Sequence, residues 1–269
     1  MDMLQAHSSL WNYLWVAPNL LLLLLAFLLF RRGIHKIYPC FVAFALIGAI
    51  GELVNYAADL SQSISGETFW RIFFSVLVIA ALLKFALIGE IFTKVFGGYV
   101  SVARLGKLFI RGAGIVLVLA AALAAAFTPQ DGAFGIISET HILEQTVHLI
   151  TAGLLLAVFA MASYFKIRPD RRTFGIALGL GISASVHLAT WGLAANAGIP
   201  TEKRAILDFI NMSTYHGSVL VWYYYLLVPE NSAPTPPSGG PPTPPSNILP
   251  DREVDLRDWN RELERLTHP

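Results

Sequence analysis

Seven stretches of the chain, near residues 10–30, 37–60, 68–96, 108–128, 138–165, 173–197 and 206–228, are apolar almost throughout. A hydrocarbon layer about 30 Å thick is crossed by about 20 apolar residues rising 1.5 Å each, so every stretch can span a bilayer. Backbone amides in lipid must be satisfied within their own segment, and runs this long and continuous do not fit barrel strands. The pattern predicts an all-α, polytopic bundle of seven transmembrane helices occupying residues 1–228 of the 269. Charged residues make up 14% of the chain, against about 25% in an ordinary soluble domain, which argues against a cytosolic enzyme. A net charge of +1 supplies no basic field for nucleic acid. The single cysteine, Cys40, excludes an intrachain disulfide and any four-thiolate metal centre.

The first stretch could be read as a secretory signal because of its Leu20 to Leu25 run. It lacks a basic residue ahead of the apolar core, and Arg31 and Arg32 follow it, the reverse of a signal peptide, so a retained helix is expected. Basic residues then set the orientation. The junctions after spans one, three and five carry eleven of them (Arg31, Arg32, Lys36, Lys94, Arg104, Lys107, Arg111, Lys166, Arg168, Arg171 and Arg172), and the opposite junctions carry three, Arg71, Lys203 and Arg204. Lys and Arg in short loops stay on the cytoplasmic side, which places the N-terminus outside and the C-terminus in the cytoplasm of a cell with this protein in its inner (plasma) membrane. Trp11, Tyr13, Trp15 and Trp70 then fall where outer-interface anchors belong, and Tyr99 and Tyr223 to Tyr225 suit the inner interface.

Beyond the last span the composition changes. Residues 229–250 hold nine prolines, the mark of an extended linker, which could also serve as a ligand for an SH3-type domain. Residues 251–269 read as a short amphipathic helix with Asp251 as its cap. Leu256, Trp259, Leu263 and Leu266 form its narrow apolar stripe, a candidate contact for a cytoplasmic protein or for the bundle itself. Four Arg and six acids between 251 and 266 fit an anionic lipid surface poorly.

Polar groups at bilayer depth are costly and turn toward the bundle interior, which makes them the place to look for function. Counted at 1.5 Å per residue, Glu52, Lys84, His148, His187 and His216 lie within roughly 5 Å of the midplane. Each belongs to a stripe: Gly48, Glu52, Asn55 and Asp59 on span two; His141, Glu144, Gln145 and His148 on span five; Gly175, Gly179, Ser183 and His187 on span six; Asp208, Asn211 and Tyr215, with His216 beside them, on span seven. Small residues every four positions on span six allow close helix contact, so His187 is expected to point at another helix. Together the stripes predict an outward-opening polar cavity lined by Glu52, Asn55, Glu144, His148, His187, Asp208, Asn211 and His216. His148, His187 and His216 are candidate transition-metal ligands, although no HExxH-type spacing accompanies them; the same side chains serve equally as interhelical hydrogen-bond glue. Lys84 must pair, deprotonate or snorkel, and an ion pair with Glu52 is expected, about 8 Å away in depth. Glu90 lies deeper and is expected to snorkel toward Lys94 or Lys107.

The run Trp222 to Glu230 (WYYYLLVPE), and Asp258 to Leu263 (DWNREL) after a proline-rich linker, resemble uncharacterised bacterial seven-helix integral membrane proteins. The layout is similar to the seven-helix sensor modules of bacterial histidine kinases, and the resemblance implies a sensory role. Microbial rhodopsins share the helix count, but span seven has no lysine, which leaves retinal without its attachment point. The seven-helix ceramidase and progestin-receptor-like hydrolases hold zinc through a closing paired-histidine motif that this chain lacks. The sequence is therefore read as a receptor or sensor that binds a small ligand, ion or proton from outside and couples to a cytoplasmic partner through its tail. The alternatives are a metal-dependent membrane hydrolase, then a transporter, for which no internal repeat is evident, or a purely structural membrane protein.

Overall fold

The computed structural model describes residues 8–98, 133–196 and 201–228 together with Gly112, Ile115, Trp259 and Arg261; for 133–139, 141, 195–196 and 201–204 it describes the backbone only. Six α-helices result: α1 (Ser9–Arg31), α2 (Pro39–Leu60), α3 (Gly66–Phe96), α4 (Ala133–Tyr164), α5 (Arg171–Asn196) and α6 (Thr201–Leu227), with a 3₁₀ turn at Ile34–Lys36 and no strand among the described residues. The helices α1, α2 and α3 and the segments Ile142–Tyr164 and Arg171–Ala194 are long and apolar enough to cross a membrane. The chain is an all-α, multi-pass membrane protein. The helix α6 is not among these five; Asp208, Asn211 and His216 interrupt its apolar residues. The expected fourth span at 108–128, apart from Gly112 and Ile115, lies outside the described residues, as do Tyr99, the linker at 229–250, and Leu256, Leu263 and Leu266 of the tail. Trp259 is helical and exposed.

The helix boundaries follow from local chemistry. Ser8 and Ser65 cap α1 and α3 by accepting the amide hydrogens of Trp11 and Thr68, each at 3.2 Å, which satisfies donors that a helix start leaves open. Asp170 caps α5 in the same way, accepting from the Thr173 amide at 3.0 Å. Beyond the last residue of α1, Arg31, the chain turns at Gly33, whose φ of 71° is accessible to glycine at no steric cost. α2 starts with Pro39 and has no side-chain cap of its own. Its open amides at Cys40 and Phe41 are taken instead by the Glu90 carboxylate of α3, at 3.2 and 3.1 Å. Glu90 thus interacts with Lys94, as expected, and in addition completes the positive end of a neighbouring helix.

The helices pack in sequence, α1 on α2, α2 on α3, α3 on α4, α4 on α5 and α5 on α6, and α6 returns to α1, closing a ring that α3 also crosses to reach α5. One half of the ring is filled. Leu25 and Leu29 of α1, Phe41 of α2, Ile88 and Ile91 of α3, Leu155 of α4, Ile176 of α5 and Trp222 of α6 are all buried there. Trp222 meets the edges or faces of Phe41 and Phe44 with ring centres 5.4 and 6.0 Å apart, and its indole donates to the Ile176 carbonyl at 3.2 Å. This close approach of α5 and α6 depends on glycine. A Cβ on Gly179 would stand 2.4 Å from the Trp222 Nε1, and one on Gly175 would stand 2.1 Å from the Tyr225 Cβ. The small-residue stripe expected on span six thus faces α6.

The outside of the ring is apolar, unlike the surface of a soluble domain, and polar side chains are buried within the ring beside the apolar core. Leu20, Leu24 and Phe27 on α1, Ile47, Ile50 and Val54 on α2, and Leu149 and Leu156 on α4 are exposed, while Asn19, Asn55, Thr140, His148, Thr151, Thr190 and Ser218 are buried. The apolar outer surface meets the lipid bilayer, where exposed polar groups would carry a heavy desolvation cost.

The filled half ends in a polar lock between connections. The Tyr38 hydroxyl donates to Asp170 at 2.8 Å and lies 3.0 Å from the Thr173 hydroxyl, tying the α1–α2 connection to the α4–α5 connection. Burial pushes the Tyr38 phenol up to about 12, so it remains a donor at neutral pH. Burial alone would raise the Asp170 carboxyl, but hydrogen bonds from the Thr173 side chain and amide, Tyr38 and the Arg172 amide outweigh it and hold the carboxyl below the usual value. Two arginines close the end of α6: Arg32 donates to the Leu227 carbonyl at 2.9 Å and Arg171 to the Val228 carbonyl at 2.7 Å. Both satisfy carbonyls that a helix end leaves open, with cations at its negative pole.

Candidate functional site

The other half of the ring surrounds a cavity of about 380 Å³. Its polar wall comes from the second halves of α2 and α5 (Glu52 and Asn55; His187 and Trp191), the first halves of α1, α4 and α6 (Trp11 and Trp15; Glu144 and His148; Asp208 and Asn211), and Lys84 near the middle of α3. This alternation is what neighbouring helices of opposite direction produce, with one depth assembled from alternating ends. Leu22 and Phe44 form an apolar floor where the cavity meets the filled half.

Of the eight expected lining residues, Glu52, Asn55, Glu144, His148, His187, Asp208 and Asn211 line this space, and His216 does not. His216 lies against Tyr13 instead, with ring centres 5.8 Å apart. Helical spacing accounts for the separation: His216 is about 100° round the helix axis from Tyr215, and it is Tyr215 that faces the cavity. The side chain of His141 lies outside the described residues.

Glu52 is held by hydrogen bonds from Trp15 and from Asn55. Lys84 interacts electrostatically with Glu144 and, less strongly, with Glu52. Lys84 thus interacts with Glu52 of α2, the expected partner, and is shared with a second carboxylate, Glu144 of α4. Depth arithmetic could place Glu52 and Lys84 in one layer, but it carried no information on the angle at which α4 presents Glu144.

The wall between α4 and α5 brings imidazoles together. The His148 and His187 rings stack with centres 3.9 Å apart and planes at 17°. The Glu144 Oε1 lies 3.4 Å from the His187 Nε2, and the Trp191 indole donates to that same nitrogen at 2.7 Å. Because an indole N–H can only donate, the His187 Nε2 holds a lone pair here. One ligand atom from each of Glu144, His148 and His187 lies within 4.8 Å of the others. Of the three histidines expected as metal ligands, two therefore meet, and the third place is taken by Glu144, four residues before His148 on the same helix face. A buried polar atom normally has a partner, yet the His148 Nδ1, the Asn55 Oδ1 and the Trp11 Nε1 have none among the described residues.

The tryptophans were the least legible part of the site. Trp11 and Trp15 carry the signature of interfacial anchors, but both line the cavity, with Trp15 on Tyr56 at 5.5 Å and Trp11 on Phe209 at 5.6 Å between ring centres. Their spacing of four residues on α1, in register with Asn19, was the available signal. Asn19 is buried and bridges α1 to α6, donating to the Trp15 carbonyl at 2.7 Å and accepting from the Tyr215 hydroxyl at 3.2 Å.

The fold and site define a multi-pass helical membrane protein with a polar cavity on one half of its bundle. No protein-family model, curated protein or solved structure matches the chain.

Proposed function

We propose that this is a membrane receptor of the sensor type, in an inner (plasma) membrane, that takes a small ligand or ion into its cavity from outside. The observation that carries the reading is the division of one helix ring into a polar, partly unsatisfied cavity and a close-packed apolar half centred on Trp222. A ligand entering one half of the bundle meets the Leu22 and Phe44 floor, an arrangement suited to binding and response. The charge count supports a cavity on the outer side, with the Arg32 and Arg171 contacts on the cytoplasmic side. Those contacts support coupling, since an arginine of the α1–α2 connection and one at the start of α5 hold carbonyls at the end of the helix that leads into the tail.

Thiol labelling tests the reading. In a Cys40→Ser background, Met212→Cys, in the cavity wall, should react with a small membrane-impermeant thiol reagent added to intact cells. Ala45→Cys, in the filled half and fully buried, should not react. An inert Met212→Cys in correctly inserted protein would overturn the outward cavity.

A further inference from the structure

We infer that Glu144, His148 and His187 form a binding site for a divalent transition-metal ion in the wall of the cavity. The inference rests on the cavity reading above and names the ligand class for one wall of it. Two donors on a tetrahedral ion with bonds of about 2.0 to 2.1 Å are separated by about 3.4 Å. The Glu144 Oε1 and the His187 Nε2 stand at 3.4 Å. The third donor, His148, lies one turn of α4 beyond Glu144 on the same face, and one ligand atom from each residue falls within 4.8 Å of the others. His148 is 8% exposed, and its Nδ1 has no hydrogen-bond partner among the described residues. Two imidazoles and one carboxylate favour zinc, iron, cobalt or nickel, whereas calcium and magnesium prefer all-oxygen shells. Three protein donors would leave the fourth position of a tetrahedral ion for water or a small ligand.

Loading requires two local changes. Stacked rings point their lone pairs along nearly parallel planes, so one imidazole has to turn about its side-chain torsions before both nitrogens face one ion. The His187 Nε2 has a single lone pair, so the ion also displaces the Trp191 N–H now donating to it. This displacement ties metal binding to the environment of Trp191. Lys84 interacts with both Glu144 and His148 and opposes a cation at this position, an effect that Glu52 and Glu144 offset.

The test uses the full chain, purified in detergent without a polyhistidine tag and titrated with Co²⁺ alone, then with Zn²⁺ as competitor. The expected result is one Co²⁺ per chain, visible d–d absorption of a four- or five-coordinate nitrogen and oxygen site, a change in tryptophan emission on loading, and loss of the absorption when Zn²⁺ is added. His187→Ala should abolish the absorption. Lys84→Met, which leaves every ligand in place, should tighten Co²⁺ binding several-fold by removing a nearby positive charge. Helical circular dichroism identifies any variant that has failed to fold, and Lys84→Met keeps the test decisive if His187→Ala is one of them. Binding well below one equivalent in folded wild-type chain overturns the inference, as does an unchanged spectrum in folded His187→Ala. The thiol-labelling result separates the two readings: a labelled Met212→Cys without Co²⁺ binding leaves the cavity standing and removes the metal, whereas Co²⁺ binding without labelling removes the outward cavity and keeps the metal.

Discussion

Asp170 shows how a single carboxylate can hold two connections together, capping α5 while accepting from Tyr38 of the α1–α2 connection. Its carboxyl is held below the usual value in the folded chain, so the stabilisation it provides is present above about pH 4 and is lost as pH falls through the folded value. Asp170→Asn should lower stability by about 1 kcal/mol, the usual worth of a cap, and flatten the acid side of the stability profile. Thermal unfolding in detergent, followed by circular dichroism from pH 7 downward, measures both effects. Glu90 has a comparable role between helices. Glu90→Gln keeps the shape but removes the charge from two amide contacts, and should cost about 1 kcal/mol; no loss in the same assay would show that the capping contacts contribute nothing.

Among the helices, the contact of α5 with α6 is the least tolerant. In lipid the association of helices draws on close packing, because the surrounding acyl chains are as apolar as the side chains. Gly179→Ala places a Cβ within 2.4 Å of the Trp222 indole nitrogen and should destabilise the protein by about 1 to 3 kcal/mol, the usual cost of overpacking. Gly153→Ala on α4, whose added Cβ would meet nothing within 4 Å, should be neutral or slightly stabilising through helix propensity. Equal effects of the two substitutions on melting temperature would argue against the glycine contact. α2 presents the opposite case: its start is completed by a residue fifty positions away, so truncations that perturb α3 should fray α2 as well.

For the whole molecule, the charge asymmetry predicts orientation and the ring predicts coupling. An alkaline phosphatase fusion at Gln62, between α2 and α3, should be active, and one at Arg168, between α4 and α5, inactive. The reverse pattern would turn the cavity toward the cytoplasm. Deleting residues 231–269 should leave insertion and Met212→Cys labelling unchanged, because the apolar runs and every residue lining the cavity precede residue 229; loss of labelling would show that the tail helps to hold the cavity open.

Much of the architecture could be read from the chain without coordinates, because bilayer thickness imposes a length and helical backbone bonding is local. Five of the expected apolar runs are helices long enough to cross a membrane, and Glu52, Lys84, His148 and His187, which counting at a fixed rise assigns to one layer, line one cavity. Azimuth is what the count could not supply. Whether His216 or Tyr215 faces the cavity, whether Trp11 and Trp15 turn to lipid or inward, and whether Lys84 serves one carboxylate or two all depend on how each helix is rotated against its neighbours. Rotation is set by contacts such as Gly179 against Trp222 and Glu90 against the start of α2, which join residues far apart in sequence. A rise of 1.5 Å per residue belongs to each helix alone; the angle about its axis belongs to the packed bundle.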